Sequence, residues 1–230
     1  MKLQQKRLLY VGLIAVLVLV WFFYRANGPQ TTAVLAGTVR AATLLALGAM
    51  CGMIGERSGV VNIGIEGQFL LSAFAAFTIA SMTGSLFMGT IAGVGMGVLM
   101  GWVLAGMAVG LKVDQIIAGT VLNISALGLT SFFYDRSRSL GMGKYTNIDL
   151  GPLADLPLVG TVLFSRPPLT YLTMALLVVV HIALFRSVWG MRTRAIGEHP
   201  GAADTVGIDV IKLRYLNVTI AGGLAGLGGA

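Results

Sequence analysis

The sequence predicts an all-α, polytopic transmembrane helical bundle with six complete spans, the start of a seventh and a cytoplasmic N-terminus. Hydrophobic residues make up 56% of the 230 and charged residues 11%, where a soluble domain carries about 25% charged. Several apolar runs reach the ~20 residues that a helix rising ~1.5 Å per residue needs to cross a bilayer. These runs do not alternate apolar with polar residues, as the strands of a membrane barrel do.

The net charge of +7 is spread between the apolar runs and forms no arm or patch, so it argues for membrane topology rather than nucleic-acid binding. The single cysteine, Cys51, lies inside an apolar run and reads as a small packed residue. No catalytic constellation and no metal-ligand set stands out, and no phosphate-binding loop of the Walker type occurs. The chain is therefore expected to be no enzyme and to hold no cofactor of its own.

Residues 8–24 form the first apolar run, preceded by Lys2, Lys6 and Arg7 and closed by Trp21, Phe22, Phe23 and Tyr24. Such an aromatic end suits a membrane interface, and the core is longer than that of a cleaved signal. The second span is expected over 31–54, the third over 68–82, the fourth over 86–111 and the fifth over 115–134. Residues 135–167 read as a loop with a short helix, followed by a sixth span over 168–185. A basic connection, 186–214, leads to a final apolar stretch, 215–230. That stretch is short and ends without charge or aromatic anchor, so the chain reads as a single transmembrane domain, 1–230, that is a C-terminally truncated piece of a longer protein. With the N-terminus inside, cytoplasmic segments hold Lys2, Lys6, Arg7, Arg57, Lys112, Arg186, Arg192, Arg194, Lys212 and Arg214. Only Arg25, Arg136, Arg138, Lys144 and Arg166 fall outside. The bias favours that orientation.

Gly89, Gly93, Gly97 and Gly101 recur every fourth residue, with Ala105 in the same row, and Gly222, Gly226 and Ala230 start a second row. On helices these are smooth stripes for close packing. Residues 55–67 hold four glycines, with Glu56, Arg57, Asn62 and Glu66, between two apolar spans. An ordinary cytoplasmic loop is one reading. The other is a helix break beside a translocation path, since irregular backbone at membrane depth needs protein or a water-filled cavity around it. The interleaved Val60, Val61, Ile63 and Ile65 favour partial burial. Arg40, inside the second span, would cost about 2.5–3.5 kcal/mol at the bilayer centre unless it snorkels or pairs. Asn123 and His181, mid-span, read as interhelical hydrogen bonders. Between Pro200 and Gly207, suited to the first turn and to the position past the end of a helix, lie about two turns with Ala202, Ala203 and Val206. This short helix either plugs a groove in another protein or lies flat on the surface.

The string Glu56-Arg57-Ser58-Gly59-Val60-Val61-Asn62-Ile63-Gly64-Ile65-Glu66-Gly67 resembles the permeases that serve branched-chain amino acid, ribose and nucleoside ABC importers. Arg40-Ala41-Ala42-Thr43, residues 114–123 and residues 194–207 with Arg214-Tyr215 extend the similarity, which looks nearest to the nucleoside and simple-sugar branch. Leu44, His199 and Gln68 depart from what many such permeases carry. The resemblance implies a subunit forming the path for a nucleoside or similar small polar molecule, with sugar and branched-chain amino acid less favoured. It also implies a cytoplasmic coupling segment, 192–208, with Gly197, Glu198, Pro200, Ala202, Ala203, Asp204 and Gly207 meeting an ATPase subunit that binds the ATP. The further implied partners are a second permease, identical or not, an extracytoplasmic substrate-binding protein and the bilayer of a bacterial-type inner membrane. Arg40, Asn62, Glu66 and Asn123 are the candidate pathway residues. A secondary transporter with Glu66 as its ion-coupling carboxylate is the alternative.

Overall fold

The computed structural model describes residues 18–134, 143–149, 151, 154 and 159–230. Most of the expected first span, and much of the 135–167 loop, lies outside them. Helical residues 18–26 are α1. There follow α2 (Gly28–Arg57), α3 (Ile65–Thr83), α4 (Leu86–Ala105) and α5 (Gln115–Phe133). After them come the two-residue strands β1 (Ile148–Asp149) and β2 (Ser165–Arg166), then α6 (Pro168–Arg186), α7 (Val188–Glu198), α8 (Pro200–Thr205) and α9 (Val210–Gly229). Among the described residues, five helical segments are long and apolar enough to cross a membrane. They are Gly28–Arg57, Ile65–Thr83, Leu86–Gly110, Gln115–Phe133 and Pro168–Arg186. Their outward faces carry Val34, Leu45, Phe87, Ile124, Phe132 and Val179, all exposed, as lipid contact requires.

The helix ends follow local chemistry. Ser85, Asp114, Ser187 and Asp209 each accept a backbone N–H of the first turn of the helix that follows, which satisfies donors a helix start leaves unpaired. The fourth span, expected over 86–111, runs over Leu86–Gly110 and closes in a π turn over Gly106–Gly110.

Contacts sort the chain into two compact units. One holds the described residues of Met1–Ala42 and Thr146–Tyr171. In it β1 pairs antiparallel with β2, Ile148 opposite Arg166 and Asp149 opposite Ser165. Arg166 is only 6% exposed and donates to the carbonyls of Val162 at 2.6 Å, Thr161 at 3.0 Å and Ala36 at 3.2 Å.

The other unit holds the described residues of Thr43–Tyr145 and Leu172–Ala230. Its centre is α4 packed on α3 and α9. The two small-residue rows meet face to face there. A Cβ on Gly97 would strike the Gly222 carbonyl and the Gly226 backbone, and one on Gly101 would lie 2.7 Å from the Val218 carbonyl. That is close backbone packing of the kind small residues permit between membrane helices. Two apolar cores flank the contact. Leu47, Met50, Cys51 and Ile54 of α2 pack with Leu184, Ala221 and Ala225. Val60, Leu71, Leu104, Ala118, Leu122 and Val218 form the other.

Candidate functional site

The break between α2 and α3 is shorter than the 13-residue segment its glycines suggest. Helix α2 runs through Gly55 to Arg57, and α3 already begins at Ile65. Gly59, at φ 80°, ends α2 in a Schellman arrangement, its N–H bonding the Glu56 carbonyl while the Val60 N–H bonds that of Gly55. Beyond it, the irregular backbone is satisfied by side chains from distant helices, as the rule on buried peptide groups demands. Gln115 accepts the Val61 N–H at 2.7 Å and donates to the Gly59 carbonyl at 3.4 Å. Asn123 accepts the Gly67 N–H at 2.7 Å and donates to the Ile63 carbonyl at 3.1 Å. Gly67 is in the first turn of α3, so Asn123 caps that helix from α5.

A polar string runs inward from the break. The Gly64 N–H donates to Asn62 Oδ1 at 2.9 Å, which fixes the orientation of that amide. Asn62 Nδ2 then donates to Gln68 Oε1 at 3.1 Å and lies 3.5 Å from Cys51 Sγ. Gln68 and Cys51 are both 0% exposed. Gln68 Nε2 and Ser72 Oγ, one turn apart, are buried with no hydrogen-bond partner among the described residues.

The segment 192–208 is tied to this break. A Cβ on Gly197 would strike the Arg57 carbonyl oxygen and approach the Gly59 N–H. Arg214 of α9 binds both sides of that contact, with Nε 3.0 Å from the Ser58 carbonyl and Nη2 3.1 Å from that of Ile196. Arg57 and Arg194 each stack on the Phe185 ring, at 5.8 and 5.6 Å from its centroid. Further along α7, Trp189 Nε1 donates to Asn217 Oδ1 at 3.0 Å, and Asn217 Nδ2 to Thr193 Oγ1 at 3.1 Å. Helix α7 is thus bonded to α9 and seated on the end of α2. Helix α8 projects from it. Pro200 opens α8, and Gly207, at φ 81°, closes it with a second Schellman arrangement. Ala203 is 3% exposed, while Glu198, Pro200, Ala202 and Asp204 are exposed.

Of the predicted pathway residues, the structure brings Asn62 and Asn123 to the break and places Glu66 on its exposed side. Glu66 sits in the first turn of α3, where the helix dipole favours a carboxylate. Arg40 is exposed on α2 in the other unit. There burial, and after it the charge of Arg40, lower the pKa of Arg166 from its ordinary value. His181 makes no interhelical hydrogen bond among the described residues; it is exposed and leans on Phe185 of its own helix at 5.0 Å. Sequence reasoning missed Gln115 and Arg214 as braces of the break. Gln115 directly follows a helix-capping aspartate, and Arg214 sits in the second turn of a helix after a basic connection, but neither signal names its partner.

Asn123→Leu is expected to leave the Gly67 N–H and the Ile63 carbonyl unpaired, at a cost of about 2 kcal/mol. Thermal unfolding of the detergent-purified protein checks this, and an unchanged midpoint would show that the cap from α5 contributes nothing.

These features define a helical integral membrane protein with a side-chain-braced break and an exposed short helix anchored to it. The chain belongs to the family described as "Branched-chain amino acid transport system / permease component", whose model matches residues 34–230. It is 38% identical over 200 residues to a Haloferax volcanii protein provisionally named as a glucose ABC transporter permease, TsgC13, covering 85% of this chain and 61% of that one. Guanosine ABC transporter permease protein NupQ of Bacillus subtilis is 34% identical over 208 residues, 85% of this chain and 65% of that one. Nucleoside ABC transporter permease protein NupC of Lactococcus lactis is 34% identical over 193 residues, 78% and 60%. The chain therefore spans about three-fifths of the length of these relatives. No solved structure matches.

Proposed function

We propose that this chain is the permease subunit of an ATP-binding-cassette importer and forms the translocation path for a nucleoside or similar small polar molecule. Residues 1–230 make up one permease domain of six spans, with α9 starting a seventh and the N-terminus in the cytoplasm of a cell bounded by this inner membrane. Segment 192–208 is the coupling element. It docks on a partner ATPase that binds the ATP, through Glu198, Pro200, Ala202 and Asp204, while Ala203 holds α8 to the body and Gly207 ends it. A second permease, identical or not, completes the path, and an extracytoplasmic binding protein delivers the permeant. Arg40, Asn62, Glu66 and Asn123 belong to the path and its frame, with Asn62 and Asn123 shaping the break and Glu66 facing the permeant.

One observation carries this reading. Gly197 of the proposed coupling segment rests directly on the Arg57 carbonyl at the end of α2, with Arg214 bridging Ser58 and Ile196. A docked ATPase that shifts α8 must then move the break with it, which gives ATP a differential grip on the two facing states. Affinity purification of the whole protein from gently solubilised membranes tests the assignment. A P-loop ATPase is expected to co-purify and to be lost when exposed Ala202 is replaced by Trp, with membrane insertion unchanged. Recovery of the permease without any ATPase, where known complexes survive, would favour the ion-coupled reading of Glu66.

A further inference from the structure

Two buried polar atoms on α3, Gln68 Nε2 and Ser72 Oγ, have no hydrogen-bond partner among the described residues. Both residues are 0% exposed. Ser72 is enclosed by neighbouring helices. A Cβ on Gly229 of α9 would lie 2.9 Å from its Cβ, and one on Gly93 of α4 would lie 3.2 Å from its carbonyl oxygen. Its hydroxyl does not turn back along the helix either, whereas those of Thr90, Thr120 and Thr130 donate to the carbonyls four residues before them. The Gln68 amide can face only one way. The Gly64 N–H fixes Asn62 Oδ1 as an acceptor, so Asn62 Nδ2 is the atom that reaches Gln68, and it must meet Oε1. Gln68 Nε2 is thereby left without an acceptor. A buried donor or acceptor in that condition destabilises the arrangement that contains it, and such a group calls for a reason. Residues four apart lie on one face of a helix with their side chains in reach. A turn of the Gln68 amide towards Ser72 would therefore pair both orphans at once, and it would take Oε1 away from Asn62.

Resting on the importer reading, we infer that Gln68 is a positioning residue with two alternative bonds, to Asn62 when the path is empty and to Ser72 when a permeant occupies it. Asn62, 9% exposed at the break, is alone among Cys51, Asn62, Gln68 and Ser72 in reaching the surface. Its Nδ2 donates to Gln68 Oε1 at 3.1 Å. Cys51 Sγ, 3.7 Å from the same oxygen, is too weak a donor to hold the amide by itself. A permeant oxygen, of a hydroxyl or a carbonyl, that accepts from Asn62 Nδ2 replaces Gln68 there. The released amide turns along α3, and its Nε2 donates to Ser72 Oγ. The empty path thus carries two unpaired groups, and occupancy pairs them. Contact made at the break is linked in this way to the junction of α3 with α4 and α9, where Ser72 sits. That supplies a differential interaction with the permeant, which a change of facing state requires. The two arrangements are discrete, because Gln68 has one amide and cannot serve Asn62 and Ser72 in the same orientation.

Two measurements test this together: the thermal midpoint of the whole protein in detergent, and KM for ATP-driven uptake by the whole importer in liposomes. Radiolabelled guanosine and radiolabelled glucose are the probes. Ser72→Ala removes an orphan from the empty state and the second partner from the occupied one. It is expected to raise the midpoint and to raise KM about tenfold, with kcat little changed. Gln68→Met keeps the bulk of the side chain but frees Asn62 Nδ2, and is expected to lower KM. In the double variant, Ser72→Ala is expected to add nothing to KM, because its effect passes through Gln68. A merely structural role predicts a lower midpoint in both single variants and no opposed shifts in KM. A midpoint lowered by Ser72→Ala would show its hydroxyl already bonded, as by a buried water, and would overturn the proposal. An unchanged KM in Ser72→Ala, or the same rise with Gln68→Met present, would overturn it as well. The importer reading would stand in each of these cases. Wild type taking up neither probe would overturn that reading and the role of Gln68 together.

Discussion

Gly197→Leu is expected to abolish uptake while the ATPase stays bound and continues to hydrolyse ATP. The site of the added side chain is backbone rather than a flexible side chain, because a Cβ on Gly197 already strikes the Arg57 carbonyl oxygen and comes within 3.3 Å of the Gly59 nitrogen. Overpacking of this kind costs ~1–3 kcal/mol when neighbours yield. Here the neighbours are the last turn of α2 and a glycine at φ 80°, so relief comes from lifting α7 off the break. Helix α8 is not touched by the change, and its exposed face remains available for docking. Uptake and ATP hydrolysis measured on one preparation separate the two effects, with Gly197→Ala falling between wild type and Gly197→Leu. Normal uptake in Gly197→Leu would show that the contact between α7 and α2 transmits nothing.

Arg214→Ala is expected to loosen the same joint from the other side. Its guanidinium bonds the Ser58 and Ile196 carbonyls at 3.0 and 3.1 Å, and hydrogen bonds to a charged group contribute ~1.5–3 kcal/mol each. About 3 kcal/mol of local stability is therefore expected to go, with faster hydrogen exchange at the amides of 58–64 and uptake lowered at least tenfold. Lysine has no planar fork to reach both carbonyls, so Arg214→Lys should recover only part of the protection. Exchange rates at 58–64 identical to wild type in Arg214→Ala would remove Arg214 from the joint.

The parts of this arrangement that depend on local spacing are legible in the sequence. The rows through Gly97 and Gly222 predict close packing, and the two helices do cross there. Pro200 and Gly207 bracket α8 as their backbone preferences require. The break was harder to place because glycine has two uses. Gly59 ends a helix, but Gly55 and Gly67 stand inside helices, where a Cβ would lie 2.8 Å from the Val60 carbonyl and from the Asn123 backbone. Counting glycines therefore made the irregular segment too long. Asn62 and Asn123 could be picked out as polar groups in apolar surroundings, yet nothing local says that Asn123 caps α3 or that Asn62 passes its bond to Gln68. Arg214 bonds residues 156 and 18 positions away in the chain, a pairing that periodicity does not encode.

The most direct test of the proposed transmission from α8 to the break follows the exposed position 66. In the assembled importer, Glu66→Cys is reacted with a water-soluble thiol reagent, with and without a non-hydrolysable ATP analogue; Cys51, the chain's own cysteine, is 0% exposed and adds little background. The expected result is a modification rate that changes when the analogue binds, and a loss of that change when Gly197→Leu is added. An identical nucleotide-dependent change in both backgrounds would contradict coupling through the seat of α7 on α2.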